Sequence, residues 1–173
     1  MDERHRDADD PGDDGRSGPV TDDDTRWVGY VRADHRTGSI AALAGVFATR
    51  GVNVDSMATG DVHDDAGLVV VTFRAGDRRA RLLARTVERL PQVRSVLLRL
   101  ADDERVRAAA VVRLPPGVAF RPPPEASVRW SGDTATGDPL LVEGPLADVE
   151  LTVEAARAAG AHADAAVIQP PYA

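Results

Sequence analysis

The stretch Thr37–Ser56, TGSIAALAGVFATRGVNVDS, decides the fold. Thr37 can cap a helix, and Gly38 and Ser39 open it with little side-chain bulk, a construction that presents free backbone N–H groups to an anion. Ile40, Leu43 and Phe47 fall at i, i+3 and i+7, so one stripe faces a core. Gly51, after Arg50, ends the helix. A strand follows at once with VNV, in which Asn53 is the only polar residue of a short apolar run. Taken alone, Asn53 reads as a sheet-edge asparagine making local hydrogen bonds.

Working outward, WVGYVRA just upstream predicts a first strand and VNVDSMATGDV a second. The turn VHDDAG leads into LVVVTFRA, a β-branched run suited to a buried central strand. Asp77 is positioned to cap a helix in which Leu83, Val87 and Leu90 repeat at helical spacing, and Pro91 closes it. VRSVLLRL is the fourth strand. Two βαβ halves with right-handed crossovers interleave into a four-stranded antiparallel sheet with both helices on one face, the α+β ferredoxin-like arrangement. The other face of that sheet is left open, and an exposed apolar face calls for a partner.

Beyond the acidic linker ADDE, RVRAAAVVRL predicts a fifth strand, and the proline-rich PPGVAFRPPPE cannot be helical. ASVRWSG and PLLVEG read as two strands joined by DTATGD. Pro145 opens a helix with Leu146, Val149, Val153 and Ala156 on one side, Gly160 ends it, and HADAAVIQ is the last strand. The second half thus repeats the first with its first helix replaced by a proline loop, a degenerate internal repeat. The expected organisation is an acidic disordered tail over residues 1–24, a first domain over 25–101 and a degenerate second domain over 105–173.

Composition excludes several chemistries. The 173 residues contain no cysteine and no lysine, so disulfides, thiolate sites, Schiff bases and a Walker-type phosphate loop are absent. A net charge of −7 and a single phenylalanine in LVVVTF argue against nucleic-acid binding. The N-terminus is acidic, where a secretory signal is basic and then apolar, and no apolar run reaches the length of a membrane span, so a cytoplasmic protein is expected. His63 with Asp61, Asp64 and Asp65 has metal-ligand residue types, but hairpin turns collect such residues and the cluster is read as solvated, with no metal site. Arg78, Arg79, Arg81 and Arg85 are read as the outer face of the second helix. No serine has a histidine at an informative spacing, so an enzyme is not expected.

RTGSIAALAGVFATRGVNVDSM resembles the ligand-binding ACT domains of regulatory proteins of amino-acid metabolism. Those domains open with a small glycine turn after the first strand and continue to an R-G-x-N segment. The match is closest to the regulatory small subunit of acetolactate synthase, and VRSVLLRL followed by DDERVRAAAVVRL resembles that subunit's passage between its two domains. The resemblance runs from about Arg26 to Leu114 and is topological beyond. It implies a non-catalytic homodimer that activates a thiamine-diphosphate-dependent large subunit and makes it sensitive to valine or a related branched-chain amino acid. Thiamine diphosphate and magnesium would then belong to that partner and no cofactor to this chain.

The resemblance also implies a site shared between protomers, with His35, Thr37, Gly38, Ser39 and Ile40 from the loop and helix of one, and Asn53 and Val54 from the second strand of the other. The amides of Gly38, Ser39 and Ile40 suit a carboxylate, Asn53 can donate and accept, and Ile40 and Val54 can wall an apolar side chain. His35 stands where the family has Asn or Asp. Histidine is larger and titrates near neutrality, which bears on ligand choice, on pH dependence and on whether binding persists at all. The alternative is a free-standing ACT-type amino-acid sensor or interaction module without a catalytic partner.

Overall fold

A computed structural model describes residues 25–169; the acidic tail read at residues 1–24 lies outside them. The first half builds β1 (Arg26–Asp34), α1 (Ser39–Thr49), β2 (Val54–His63), β3 (Ala66–Arg74), α2 (Asp77–Glu88) and β4 (Val93–Leu100). These strands form one antiparallel sheet in the order β2-β3-β1-β4, the ferredoxin-like arrangement that two interleaved βαβ crossovers produce. The second half adds β5 (Arg107–Arg113), β6 (Arg129–Ser131), β7 (Leu140–Pro145), α3 (Leu146–Ala158) and β8 (His162–Ile168). Its sheet order, β6-β7-β5-β8, repeats the first with one helix missing, and the residues between β5 and β6 cross as a proline-rich loop. No helix among the described residues is long and apolar enough to cross a membrane.

Strand alternation sorts the first half into two faces. Trp27, Val31, Ala33, Val69, Val71 and Phe73 point to α1 and α2, where they meet Leu43, Phe47, Leu83 and Val87. Phe47 and Phe73 pack edge to face with centroids 5.3 Å apart. The opposite face, Val28, Tyr30, Leu68 and Val70, is not open as the sequence predicts. It shares one buried cluster with Leu146, Val149, Val153 and Ala156 of α3, with Phe120 of the proline loop packed against it. Arg26 on β1 donates from Nη1 to both carboxylate oxygens of Glu150 on α3 at 2.8 Å. The layers therefore run α1 and α2, first sheet, α3 with the proline loop, second sheet. The partner expected for the first sheet is the chain's own second half, and the uncovered face has moved to the outside of the second sheet.

Element ends differ from the sequence reading in three places. The N-cap of α1 is Gly38, at φ 89°, not Thr37; a left-handed residue is needed to turn from β1 into the helix, and a β-branched threonine resists it. The N-cap of α2 is Gly76, and Asp77 is the first helical residue, paired with Arg81 one turn on. Pro145 caps α3 from just outside it. The C-terminus of α1 is as read: Gly51, at φ 61°, donates to the Ala48 carbonyl and Val52 to that of Phe47, the pair of bonds that closes a helix through a left-handed glycine. Arg79, read as a solvent-facing arginine of α2, also donates to the carbonyls of Arg50 and Gly51 at 2.8 and 2.9 Å, tying α2 to the end of α1.

Candidate functional site

A cleft of about 240 Å³ opens where β1 turns into α1, lined among others by Asp34, His35, Ser39, Ile40, Thr59, Gly60, Val62 and Gly67. The turn is held from two sides. The Asp34 amide donates to the Gln92 carbonyl and the His35 amide to that of Asp65, both at 2.8 Å, so the loop is pinned to the start of β4 and to the β2–β3 hairpin. Arg94 reinforces both anchors, reaching Asp34 at 2.9 Å and Asp65 at 2.7 Å. The hydrogen bond from Arg94 holds the Asp65 carboxyl below the usual aspartate value, so this bracket is complete at neutral pH and is lost as Asp65 protonates in acid.

Within the turn the amides divide into engaged and available. The Ser39 amide donates to Arg36 at 3.2 Å and its Oγ to the Asp34 carbonyl at 2.8 Å, so Ser39 braces the loop with both groups. The Gly38 and Ile40 amides have no backbone acceptor among the described residues, and they stand at the positive end of the α1 dipole. Amides so placed at a helix start are donors of the kind that hold anions. Space is also free at Gly38: a Cβ added there meets nothing within 4 Å, so the glycine is required by its dihedral and not by crowding. Ile40 and Val62 stand at the rim, 48% and 41% exposed, as apolar groups able to flank an aliphatic side chain. His35 lies over Gly67 of β3, where an added Cβ would come within 3.8 Å of its Nδ1.

The residues named from sequence fall into two groups. His35, Ser39 and Ile40 line this cleft, whereas Thr37 and Gly38, both exposed, sit in the same turn outside its lining. Asn53 and Val54 do not join them within the chain. Val54 pairs with Phe73 and hence lies beside Trp27, whereas the cleft lies beside Asp34 and Ala66 at the other end of the nine-residue β1. At about 3.4 Å per residue the separation is roughly 25 Å. Asn53 is exposed and precedes the first residue of β2, so it makes no ladder bond as a strand residue. The sequence reading did not single out Gly60, Val62 or Gly67; Gly60 stands where the β2–β3 register shifts between Thr59 and Val62, a glycine in an edge strand being the available signal of such a bulge. No group of three or more metal-ligating side chains gathers among the described residues, and His63 is solvated at 88% side-chain exposure.

Fold and cleft together describe a chain with two ferredoxin-like halves, of which the first has a cleft at the start of α1. Residues 30–92 match the family model of the ACT domain, a span from within β1 to the residue before β4. Comparison with curated proteins finds no match. Among solved structures, the acetolactate synthase small subunit from Thermotoga maritima is similar over 85% of this chain and 99% of its own, with a TM-score of 0.57 and 14% identity. At that identity the likeness concerns the fold, and it spans both halves. The regulatory subunit of aspartate kinase from Thermus thermophilus covers 79% of this chain and 93% of its own at 16% identity and a TM-score of 0.44, a weaker likeness from which nothing further follows.

Proposed function

We propose that this chain is a non-catalytic regulatory subunit that dimerises through the β2 edge and binds a branched-chain amino acid, valine first, in the cleft beneath Gly38. One observation carries the reading: among the described residues the outer side of α1 is exposed and β2, its neighbour on the same side of the first half, is the edge strand of the sheet. The eleven residues of α1 include no charge, although Ala41, Ala44, Gly45 and Ala48 face outward, and a helix apolar on all sides is a helix that expects to be covered. Beside it β2 is the sheet's terminal strand, with no further strand in the sheet beyond it among the described residues. A two-fold axis that joins two β2 edges antiparallel covers both features at once.

The same operation accounts for Asn53. In an antiparallel pair the start of one β2 lies beside the end of the other, so Asn53 and Val54 of the second protomer approach Gly60 and Val62 of the first, at the mouth of the cleft. The amides of Gly38 and Ile40 then take the ligand carboxylate, Asn53 takes either polar end, and Ile40, Val62 and the second protomer's Val54 enclose the aliphatic group. The catalytic partner in this reading is the thiamine-diphosphate-dependent large subunit of acetolactate synthase, which keeps thiamine diphosphate and magnesium to itself. The proline loop in place of a helix favours a second reading, a free-standing amino-acid sensor of the same dimeric form.

Valine at millimolar concentration raises the melting temperature of the wild-type chain, and Asn53→Ala removes the shift. Absence of a shift with valine, leucine and isoleucine alike would sink the ligand assignment. A gain in acetolactate synthase activity when the two subunits are mixed separates the first reading from the second.

A further inference from the structure

The outer face of the second sheet carries an interaction surface that the cleft and the β2 edge do not use. On β5 the alternation turns Ala108, Ala110 and Val112 toward α3 and leaves Arg107, Ala109, Val111 and Arg113 on the outside. Leu141 on β7 and Val167 on β8 share that outer face, 50% and 55% exposed, and Trp130 stands at its rim on the edge strand β6. Ala109, Val111, Trp130, Leu141 and Val167 line an open hollow of about 540 Å³, and Arg107 stands two residues beyond it at the start of β5. Arg129 and Glu143 satisfy each other across strands at 3.2 Å, whereas the half-buried Arg107 has no hydrogen-bond or ion-pair partner for its side chain among the described residues.

The first half shows how this chain covers such a face. Arg26 opens β1 as Arg107 opens β5, each on the third strand of its sheet order and each on the face away from the half's own helices. Over Arg26, Val28 and Tyr30 lies an amphipathic helix, α3, whose aliphatic residues meet the strand face and whose Glu150 meets the arginine. Over Arg107, Ala109 and Val111 no element of the described residues packs. A helix of three to four turns is about 20 Å long, the length of a seven-residue strand, so the two match in extent. The unmatched arginine also opposes a second copy stacked face to face, since two such surfaces would bring like charges together.

We propose that the outer face of the second sheet docks an amphipathic helix of another protein, aliphatic on one side and bearing a carboxylate that pairs with Arg107. The site is independent of the amino-acid cleft, and its test can fail without touching that reading.

A synthetic peptide with the sequence of α3, Leu146–Ala158, held helical by a side-chain lactam, is the probe. Titrated into the isotope-labelled full chain, it shifts the amide resonances of Ala109, Val111, Leu141 and Val167. Arg107→Glu weakens binding at least tenfold, a peptide carrying Glu150→Arg recovers it, and Val167→Asp, at an exposed position that tolerates charge, abolishes it. The valine-dependent melting shift is unchanged in both protein variants. Shifts confined to Val28 and Tyr30, binding indifferent to Arg107→Glu, or no shifts at millimolar peptide would overturn the proposal. So would concentration-dependent shifts of the same residues without peptide, which would assign the face to a second copy.

Discussion

The two halves share a strand order and differ in one connection. Between β1 and β2 the chain turns through Gly38 into α1 and leaves two amides at a helix N-terminus; between β5 and β6 it crosses as a loop of prolines. In that loop the Phe120 amide donates to Thr134 Oγ1 at 2.9 Å, and its ring packs against the cluster that joins the halves. The first connection keeps backbone donors unspent, and the second spends its groups on packing. Where the second half lacks this helix, its loop packs instead toward the first half.

Three substitutions would break or sharpen that contrast. The largest effect is expected at Val149, fully buried on α3 between the two sheets. Val149→Asp places an unpaired carboxylate there and costs about 4 kcal/mol or more. A single transition at much reduced temperature in a calorimetric melt fits one shared core, whereas loss of only part of the unfolding enthalpy would show that the halves fold separately.

Next is Gly38→Ala, which forces a Cβ into the left-handed region and costs about 1 kcal/mol. Its melting temperature falls by a few degrees, and the valine-dependent shift is lost because the amides re-orient; a retained shift would remove Gly38 from the site. The smallest effect is a gain. Tyr30 Oη is buried beneath α3 without a hydrogen-bond partner among the described residues, and burial pushes its pKa above the ordinary 10.0. Tyr30→Phe removes an unsatisfied hydroxyl and raises stability by up to about 1 kcal/mol in urea unfolding. The wild type further loses stability as pH rises past 10.0, because the unfolded chain ionises its tyrosine first; the variant lacks that slope.

The element order was legible because each element carries its own period: two in WVGYVRA, near 3.6 from Ile40 to Phe47, and a continuous apolar run in LVVVTF. The repeat was legible for the same reason, down to the missing helix. Helix starts were not, since Thr37 and Asp77 are better cap formers than the glycines beside them, and the dihedral at Gly38 is imposed by the tertiary path from β1 into α1. What covers the first sheet could not be read either. Tyr30 and Val149 meet across more than a hundred residues, and each taken locally says only that one of its sides is apolar. The candidate site divides along the same line. The loop residues 35–40 are contiguous and were found together, while Gly60, Val62 and Gly67 join them through strand pairing.

The join between the halves bears on how the molecule can be taken apart. Residues 101–104 have the composition of a cutting point, yet they form a tight, bonded corner. The Asp103 amide donates to the Leu100 carbonyl, Val106 donates back to Asp103, and the Asp103 carboxylate accepts from both Arg105 and Arg99, which hold its pKa well below the usual aspartate value. A protease should therefore find this corner slow to cleave. A gene fragment stopped there would yield a first half with Val28, Tyr30, Leu68 and Val70 turned to water, insoluble for want of its sibling.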